Sequence, residues 1–342
     1  MSTFFEELIF GKHYKFVLFR NFMIVGIECT AHTFGVGIVK KGKILANIKD
    51  MYKTSKGGII PTESARHHRD VAERIYSDAL EKAGISEGEI RAIAISNAPG
   101  LAPCLYEGMN FAKRKAKELG VPLVGVNHCI AHLEIGKSAG ASDSVLLYAS
   151  GANTQIIAYT AGKYRVFGET LDIGIGNFID KFARYTGMGF PGGPEIEKIA
   201  KNGKYIELPY SIKGMDVSFS GMQTKLQQLY DRGTRIEDLS FPLQETAFAM
   251  LVEAAERAMA HTGKKELVLG GGVACNSRLQ EMCRIMCSER SAKFFCPPKD
   301  LLVDNGAMIA YLGEIMFDNG DYIENVEVKP RERTDDVIIR RR

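Results

Sequence analysis

Apolar residues follow two spacings along this chain, and the same order of elements is predicted twice. Alternating or continuous short apolar runs indicate strands, whereas a spacing of three to four residues indicates helices. The elements predicted in the first half are strands at 24–28, 35–39 and 44–49, a helix at 61–83, a strand at 92–96, a helix at 107–119, a strand at 122–126 and a helix that carries His128 and His132.

The second half begins with the same three-stranded meander and then alternates helices with strands. The predicted elements are strands at 144–148, 155–160 and 164–169, helices at 177–187, 193–201, 218–231 and 241–262, a strand at 266–269, a helix at 275–288, a strand at 293–295 and a helix at 305–317. This repetition predicts a duplicated α/β fold whose two domains enclose a ligand cleft.

The pattern also predicts the limits of the domains. We expect an N-terminal extension at 1–22, a first domain at 23–143 and a second domain at 144–304. A closing helix and strand should occupy 305–330. The segment 331–342 is highly charged, and we interpret it as a tail or as a linker to a further domain.

Composition narrows the class of protein. Apolar residues make up 45% and charged residues 25% of the 342 residues, as in ordinary globular proteins. The formal charge of +3 does not by itself indicate a nucleic-acid protein, although basic clusters occur at 113–117, at Lys53 with Lys56, and at 340–342. The seven cysteines form no Cys-x-x-Cys motif and no apolar run is long enough to span a membrane, so we expect a cytoplasmic protein without disulfides.

Two histidines four residues apart suggest a metal site. His128 and His132 would lie on one face of a helix, so both rings could bind one cation, although such a pair is more often packed in a core. Asp304 precedes the last helix and could be a third ligand or a plain helix cap. Tyr148 ends a strand and could be a ligand or a core residue.

Glycine-rich turns next to predicted strands and helices suggest a nucleotide site. Three glycines at 270–272 follow a strand, and backbone amides at such a turn can approach a phosphate closely. Asn276 could bond a ribose or base, or cap the helix. Asp180 could contact a hydroxyl group or simply favour the helix dipole. The remaining candidates are the small polar loop 150–154, the tight loop 187–194 and Glu197 beyond it.

The duplicated pattern resembles the actin-like ATPase superfamily, and five motifs resemble one family within it. These motifs are 127–132, 150–155, 172–180, 270–276 and 304–307. Their order and spacing resemble the tRNA threonylcarbamoyl transferases of the archaeal and eukaryotic branch, the catalytic subunits of the KEOPS complex, formerly called O-sialoglycoprotein endopeptidases. The resemblance covers roughly residues 23 to 330.

The resemblance implies a set of site residues. His128, His132 and Asp304, with Tyr148, would bind one iron or zinc ion. An adenine nucleotide, as threonylcarbamoyl-AMP or ATP, would be contacted by Tyr148, Ala149, Ser150, Gly151, Ala152, Asp180, Gly193, Glu197, Gly271, Gly272 and Asn276. The family usually has glycine at the position of Ala152, where a side chain is tolerated only if φ is negative.

The resemblance further implies the reaction and its partners. A threonylcarbamoyl group would pass from its adenylate to the adenosine 3′ of the tRNA anticodon. Glu28, at the end of the first strand, is our candidate for the general base. Expected partners are tRNA, a kinase-like ATPase, a small dimerising subunit and a small tRNA-binding subunit. The kinase could be fused after residue 342.

Two other functions fit the same motifs. One is a carbamoyltransferase or kinase of the same architecture that acts on a small molecule. The other is a non-catalytic ATP-binding scaffold or DNA-binding subunit. A zinc protease is disfavoured, because Cys129 stands where the His-Glu-x-x-His motif carries its glutamate.

Overall fold

Two five-stranded mixed sheets form the framework of the chain. The computed structural model describes residues 23–54, 58–322 and 325–339, so the predicted extension at 1–22 lies outside the described residues. Both sheets are built in the same way, from a three-stranded antiparallel meander whose first strand also pairs with a parallel strand from further along the chain.

The first sheet has the strand order β3-β2-β1-β4-β5, in which β1, β4 and β5 are parallel. Its elements and the helices between them are β1 (Met23–Glu28), β2 (Thr33–Lys40), β3 (Lys43–Met51), α1 (Pro61–Ala83), β4 (Ile90–Ala98), α2 (Ala102–Leu119), β5 (Leu123–Asn127) and α3 (His128–Glu134).

The second sheet has the equivalent order β12-β11-β6-β7-β8. The elements of this half are β6 (Val145–Ala149), β7 (Thr154–Thr160), β8 (Lys163–Glu169), α4 (Ile175–Tyr185), α5 (Gly193–Ala200), β9 (Ile212–Lys213), β10 (Asp216–Val217), α6 (Ser220–Asp231), α7 (Ile236–Thr262), β11 (Glu266–Gly270), α8 (Ser277–Glu289), β12 (Lys293–Phe295), α9 (Lys299–Leu302) and α10 (Gly306–Asp318). The predicted duplication of an α/β unit is therefore confirmed.

Some predicted boundaries were wrong, for local reasons. The helix expected at 241–262 begins at Ile236, because Pro242 removes only one helical N–H and the helix continues through it. The helix expected at 107–119 begins at Ala102, with proline in its first turn. The hairpin β9–β10 and the helix α9 are too short to show a period, and the sequence did not predict them.

A middle hydrophobic cluster joins the two sheets. It contains Ile24 of β1, Ile130 of α3, Leu146 of β6 and Ile309 of α10, all at most 3% exposed. Helices α1 and α2 pack on the other face of the first sheet, and α7 and α8 pack in the core of the second half. The α3 helix therefore lies inside the protein, between the two halves.

The last long helix, α10, lies directly on the first sheet. Gly26 of β1 and Gly37 of β2 are partners in the sheet, and side chains at these positions would overlap backbone atoms of Ala310 and Ala307. Glycine in a strand often marks such a close approach of another backbone. A helix that follows the second sheet in the chain is thereby held against the first.

The segment after α10 also returns to the body of the protein. The sequence analysis interpreted 331–342 as a charged tail or a linker, and the described residues of this segment contact the body of the protein. Thr334 and Ile339 are buried, the Lys329 amide donates to the carbonyl of Asn97, and Asp335 accepts from the Val166 amide at 2.8 Å. Two of the uncharged residues of this segment are thus buried, whereas Ile338 is exposed. Residues 340–342 lie outside the described residues.

Within the described part of the chain, no helix combines the length and the apolar character that crossing a membrane requires.

We expect Gly26→Ala to destabilise the protein, because its methyl group would overlap the backbone of α10. Overfilling a core typically costs about 1–3 kcal/mol, and a backbone obstacle should bring the loss of unfolding free energy to the upper end or beyond. Urea denaturation measures it. Gly221→Ala in α6 is the matched control, since open space surrounds that position. Equal stability of both variants would contradict the close contact.

Candidate metal and nucleotide site

Helix α3 presents two histidines at its start. Asn127 caps the helix, because its side-chain oxygen accepts hydrogen bonds from the amides of Cys129 at 3.1 Å and Ile130 at 3.3 Å. His128 is the first helical residue and His132 follows one turn later. Their ring centroids are 4.8 Å apart. The predicted placement of both rings on one side of the helix is therefore observed.

Asp304 and Tyr148 come to this pair from other elements. Asp304 lies just before α10, and its Oδ1 atom is 3.4 Å from His128 Nε2 and 3.5 Å from His132 Nε2. The hydroxyl of Tyr148, on β6, is 3.0 Å from His128 Nε2. Ligand atoms of the two histidines and Asp304 all lie within 4.8 Å of one another, so these residues form a possible metal site.

The residues present fit a metal ion. His132 is fully buried, yet neither of its ring nitrogens makes a hydrogen bond within the described part of the chain. A buried polar nitrogen without a partner costs free energy, and coordination of Nε2 to a cation would remove that cost. Two imidazoles with a carboxylate and a phenol oxygen are ligands typical of transition metals.

Glu28 lies behind His128. Its Oε2 atom accepts a hydrogen bond from His128 Nδ1 at 2.9 Å, and its Oε1 atom accepts from the Thr30 amide at 2.7 Å and the Thr30 hydroxyl at 2.5 Å. The side chain is fully buried. A carboxylate at Nδ1 keeps a proton on that nitrogen, so Nε2 would be the ligand atom when a cation displaces its proton. Both oxygens of the predicted base are therefore occupied, which fits a positioning residue better than a base.

Burial and charge act in opposite directions on the ionisable groups of this cluster. Burial lowers the pKa of His128, but the carboxylates of Glu28 and Asp304 more than offset this and raise it well above its usual value. Burial would raise the pKa of Asp304, but the two histidines hold it well below its usual value. Burial lowers the pKa of His132 and raises that of Tyr148.

The predicted phosphate loop after β6 packs on the start of α4. The Gly176 amide donates to the Ser150 carbonyl at 3.0 Å, and the Asn177 amide donates to the Gly151 carbonyl at 2.9 Å. Ala152 is not among the described non-glycine residues with positive φ, so the backbone accommodates its methyl group without strain.

The three-glycine turn lies beside that loop. Gly270 pairs with Tyr148 across β11 and β6. Gly271 has φ of 93°, and a side chain there would overlap the Ala149 carbonyl, so only glycine suits this position. Asn276 caps α8 through its oxygen and donates from its amide nitrogen to Gln244 at 2.8 Å. Its predicted alternative role as a helix cap is therefore observed.

Asp180 and Glu197 join the helices around these loops, and Gly193 lies at the start of one of them, α5. The carboxylate of Asp180 accepts from the Gly192 amide at 2.7 Å, at the start of α5 where Gly193 lies. Glu197 accepts from the Ser277 amide at 2.8 Å and so links α5 to α8. The sequence did not single out Thr30 or Gln244. Thr30 could have been noticed from its position two residues after the strand-terminal Glu28.

Comparison with known proteins assigns this arrangement to a family. The family model TsaD, described as tRNA N6-adenosine threonylcarbamoyltransferase, matches residues 43–311. A protein of that name from Thermococcus kodakarensis is 56% identical over 319 residues, which cover 92% of this chain and 98% of that protein. This chain belongs to the tRNA N6-adenosine threonylcarbamoyltransferase family. The predicted family is thus confirmed, and it is a family of transferases.

Other members of this family differ in length. A protein from Methanosarcina barkeri, named as a probable bifunctional tRNA threonylcarbamoyladenosine biosynthesis protein, is 51% identical over 328 residues. The match covers 94% of this chain but 60% of that protein. A relative from Archaeoglobus fulgidus, named tRNA N6-adenosine threonylcarbamoyltransferase, is 50% identical and is covered over 98% of its length.

Solved structures support the fold. HypF of T. kodakarensis has a TM-score of 0.62 at 15% identity, with 87% of this chain and 48% of HypF covered. The activator of 2-hydroxyisocaproyl-CoA dehydratase from Clostridium difficile, solved with bound ADPNP, has a TM-score of 0.55 at 14% identity, with coverages of 89% and 99%. These likenesses confirm the predicted duplicated, actin-like fold of this chain.

We expect alanine at His128, His132 or Asp304 to abolish stoichiometric metal binding, because each change removes one of the clustered ligand atoms. Metal analysis of the purified variants by mass spectrometry measures this. His261→Ala, at an exposed position in α7, is the control. Full metal content in all three ligand variants would show that the cluster is not the metal site.

We expect Glu28→Gln to weaken metal binding without removing it. The change keeps the shape but removes the negative charge that accepts from His128 Nδ1. Loss of such an outer partner typically costs about 10–100-fold in metal affinity. Competition with a chelator gives the affinity, and wild-type affinity would contradict the positioning role.

Proposed function

We propose that this chain transfers a threonylcarbamoyl group from threonylcarbamoyl-AMP to the exocyclic amine of the adenosine 3′ of the anticodon in tRNA. The main support is the cluster of His128, His132, Asp304 and Tyr148 beside the glycine-rich loops, in a chain that is 56% identical to a relative named for this reaction.

The reaction is an acyl transfer from a mixed anhydride. The N6 amine attacks the carbamoyl carbon, the bond from that carbon to the phosphate oxygen breaks, and AMP leaves while the amine loses one proton. An iron or zinc ion, when bound by the two histidines, Asp304 and Tyr148, would act as a Lewis acid toward the adenylate.

The residues around this cluster have separate tasks in the proposal. Glu28 holds the His128 ring so that Nε2 faces the cluster. Backbone amides of the loops at 150–152 and 271–272 would position the phosphate, since such amides stabilise developing negative charge. Asp180 and Glu197 hold α4, α5 and α8 around those loops through bonds to Gly192 and Ser277.

The proposed partners follow from the size and charge of the substrate. A formal charge of +3 is modest for a protein that must hold a whole tRNA. We therefore propose assembly with the KEOPS subunits, a kinase-like ATPase, a small dimerising subunit and a small tRNA-binding subunit. The longer bifunctional relatives support a close association with a second catalytic domain.

Nucleoside analysis by mass spectrometry tests the proposal. Wild-type protein with its partner subunits, tRNA and threonylcarbamoyl-AMP should yield threonylcarbamoyladenosine. His128→Ala/His132→Ala should lower the yield at least about 100-fold, because the loss of two ligands removes the Lewis acid, while His261→Ala should not. Transfer to a small molecule but never to tRNA would indicate a different carbamoyltransferase. Nucleotide binding without any transfer would indicate a scaffold.

A further inference from the structure

The strongest basic run in the sequence, at 113–117 in α2, is largely offset by acidic side chains. Arg114 is 2.6 Å from Glu73 and 3.6 Å from Glu118. Lys115 is 3.3 Å from both of these carboxylates. Basic residues already paired with carboxylates attract a phosphate backbone less, because the field of each pair is largely cancelled. Pairing therefore weakens the centre of this run, while Lys113 and Lys117 at its ends stay exposed on a helix that packs on the far face of the first sheet from α3.

A different set of basic residues is unpaired. Lys181 and Arg184 of α4, Lys198 of α5 and Lys201 after it are exposed. None of the four forms an ion pair with a carboxylate among the described residues. The acids in the same stretch are Asp180, Glu195 and Glu197. The Asp180 carboxylate accepts from the Gly192 amide and lies one turn from Arg184, and Glu197 is turned onto Ser277. We call these four basic residues the α4–α5 basic surface.

This surface leads away from the nucleotide loops. Asn177, whose amide bonds the Gly151 carbonyl, is followed on the same helix face by Lys181 and Arg184, at spacings of four and three residues. At 1.5 Å per residue the stripe is about 10 Å long. At its far end, Arg184 Nη1 lies 3.9 Å from the position a Cβ would take on Gly58. The stripe formed by Asn177, Lys181 and Arg184 thus runs from the nucleotide loops to Gly58, which follows β3 in the chain.

We infer that the α4–α5 basic surface binds the phosphate backbone of the RNA substrate beside the target nucleotide. The inference rests on the proposed function. Lys181 and Arg184 continue the helix face that begins beside the nucleotide loops, and basic residues in such a place neutralise the phosphates of a nucleic-acid strand. Phosphate contacts of this kind position the strand without reading its sequence. Tyr205, 60% exposed four residues after Lys201, offers a flat ring for base stacking.

The test compares two variants with equal loss of charge. Lys181→Gln/Arg184→Gln removes two basic residues from α4, and Lys113→Gln/Lys117→Gln removes two exposed ones from α2, which packs on the far face of the first sheet. The full-length protein, assembled with its partner subunits, is titrated with transcribed tRNA at several salt concentrations. We expect the α4 variant to bind at least about 10-fold more weakly, and its salt slope to fall by about 1.4–1.8, because each lost phosphate contact contributes about 0.7–0.9. The α2 variant should match the wild type.

Two further measurements separate the outcomes. Lys181→Arg/Arg184→Lys should restore binding, since it keeps both charges. ATP affinity should be unchanged in every variant, which shows that the loops are intact.

Weaker tRNA binding with an unchanged salt slope would overturn the inference, as would equal losses from the α2 and α4 variants. If wild-type protein modifies tRNA but the α4 variant binds it normally, the inference fails while the proposed function stands. A wild type that neither binds nor modifies tRNA overturns both.

Discussion

The contact between α10 and the first sheet is the constraint on which the site depends. Glycines at 26 and 37 let the helix backbone reach the sheet backbone. Asp304 lies two residues before α10, so the position of the helix also fixes the distance from this carboxylate to His128 and His132. A residue from the second half of the chain thereby completes a cluster that begins in the first half.

In this cluster, several polar and ionisable side chains are buried together. Two histidines, a tyrosine and Glu28 are all at most 4% exposed, and Asp304 is only 14% exposed in its side chain. Elsewhere in the core the described buried residues are mostly apolar. A stable protein retains such a concentration of buried polar groups only when pairing or a ligand compensates for it. Local conflict with burial therefore marks the functional region.

The sequence predicted the parts of the fold that depend on local periodicity. Helix α1 was predicted with its observed ends, and the repeated meander identified the duplication. The histidine pair could be predicted from the sequence because a helix fixes the spacing of residues four apart. Contacts between distant segments could not be predicted from local periodicity. The carboxylates that offset Arg114 and the place of Asp335 beside Val166 depend on tertiary packing, and the function of Glu28 could not be read from its strand alone.

The duplicated sheets also place chemically different residues at equivalent strand ends. Strand β1 ends in the buried carboxylate of Glu28, whereas its counterpart β6 ends in Ala149 and continues into an uncharged loop. A carboxylate disfavours a nearby anion, and an uncharged backbone turn does not. The end of β1 therefore favours a cation or a proton donor, whereas the end of β6 can accept an anion. Neither copy alone suits a ligand that carries phosphate at one end and a metal-binding group at the other, so recognition of such a ligand is a property of the pair.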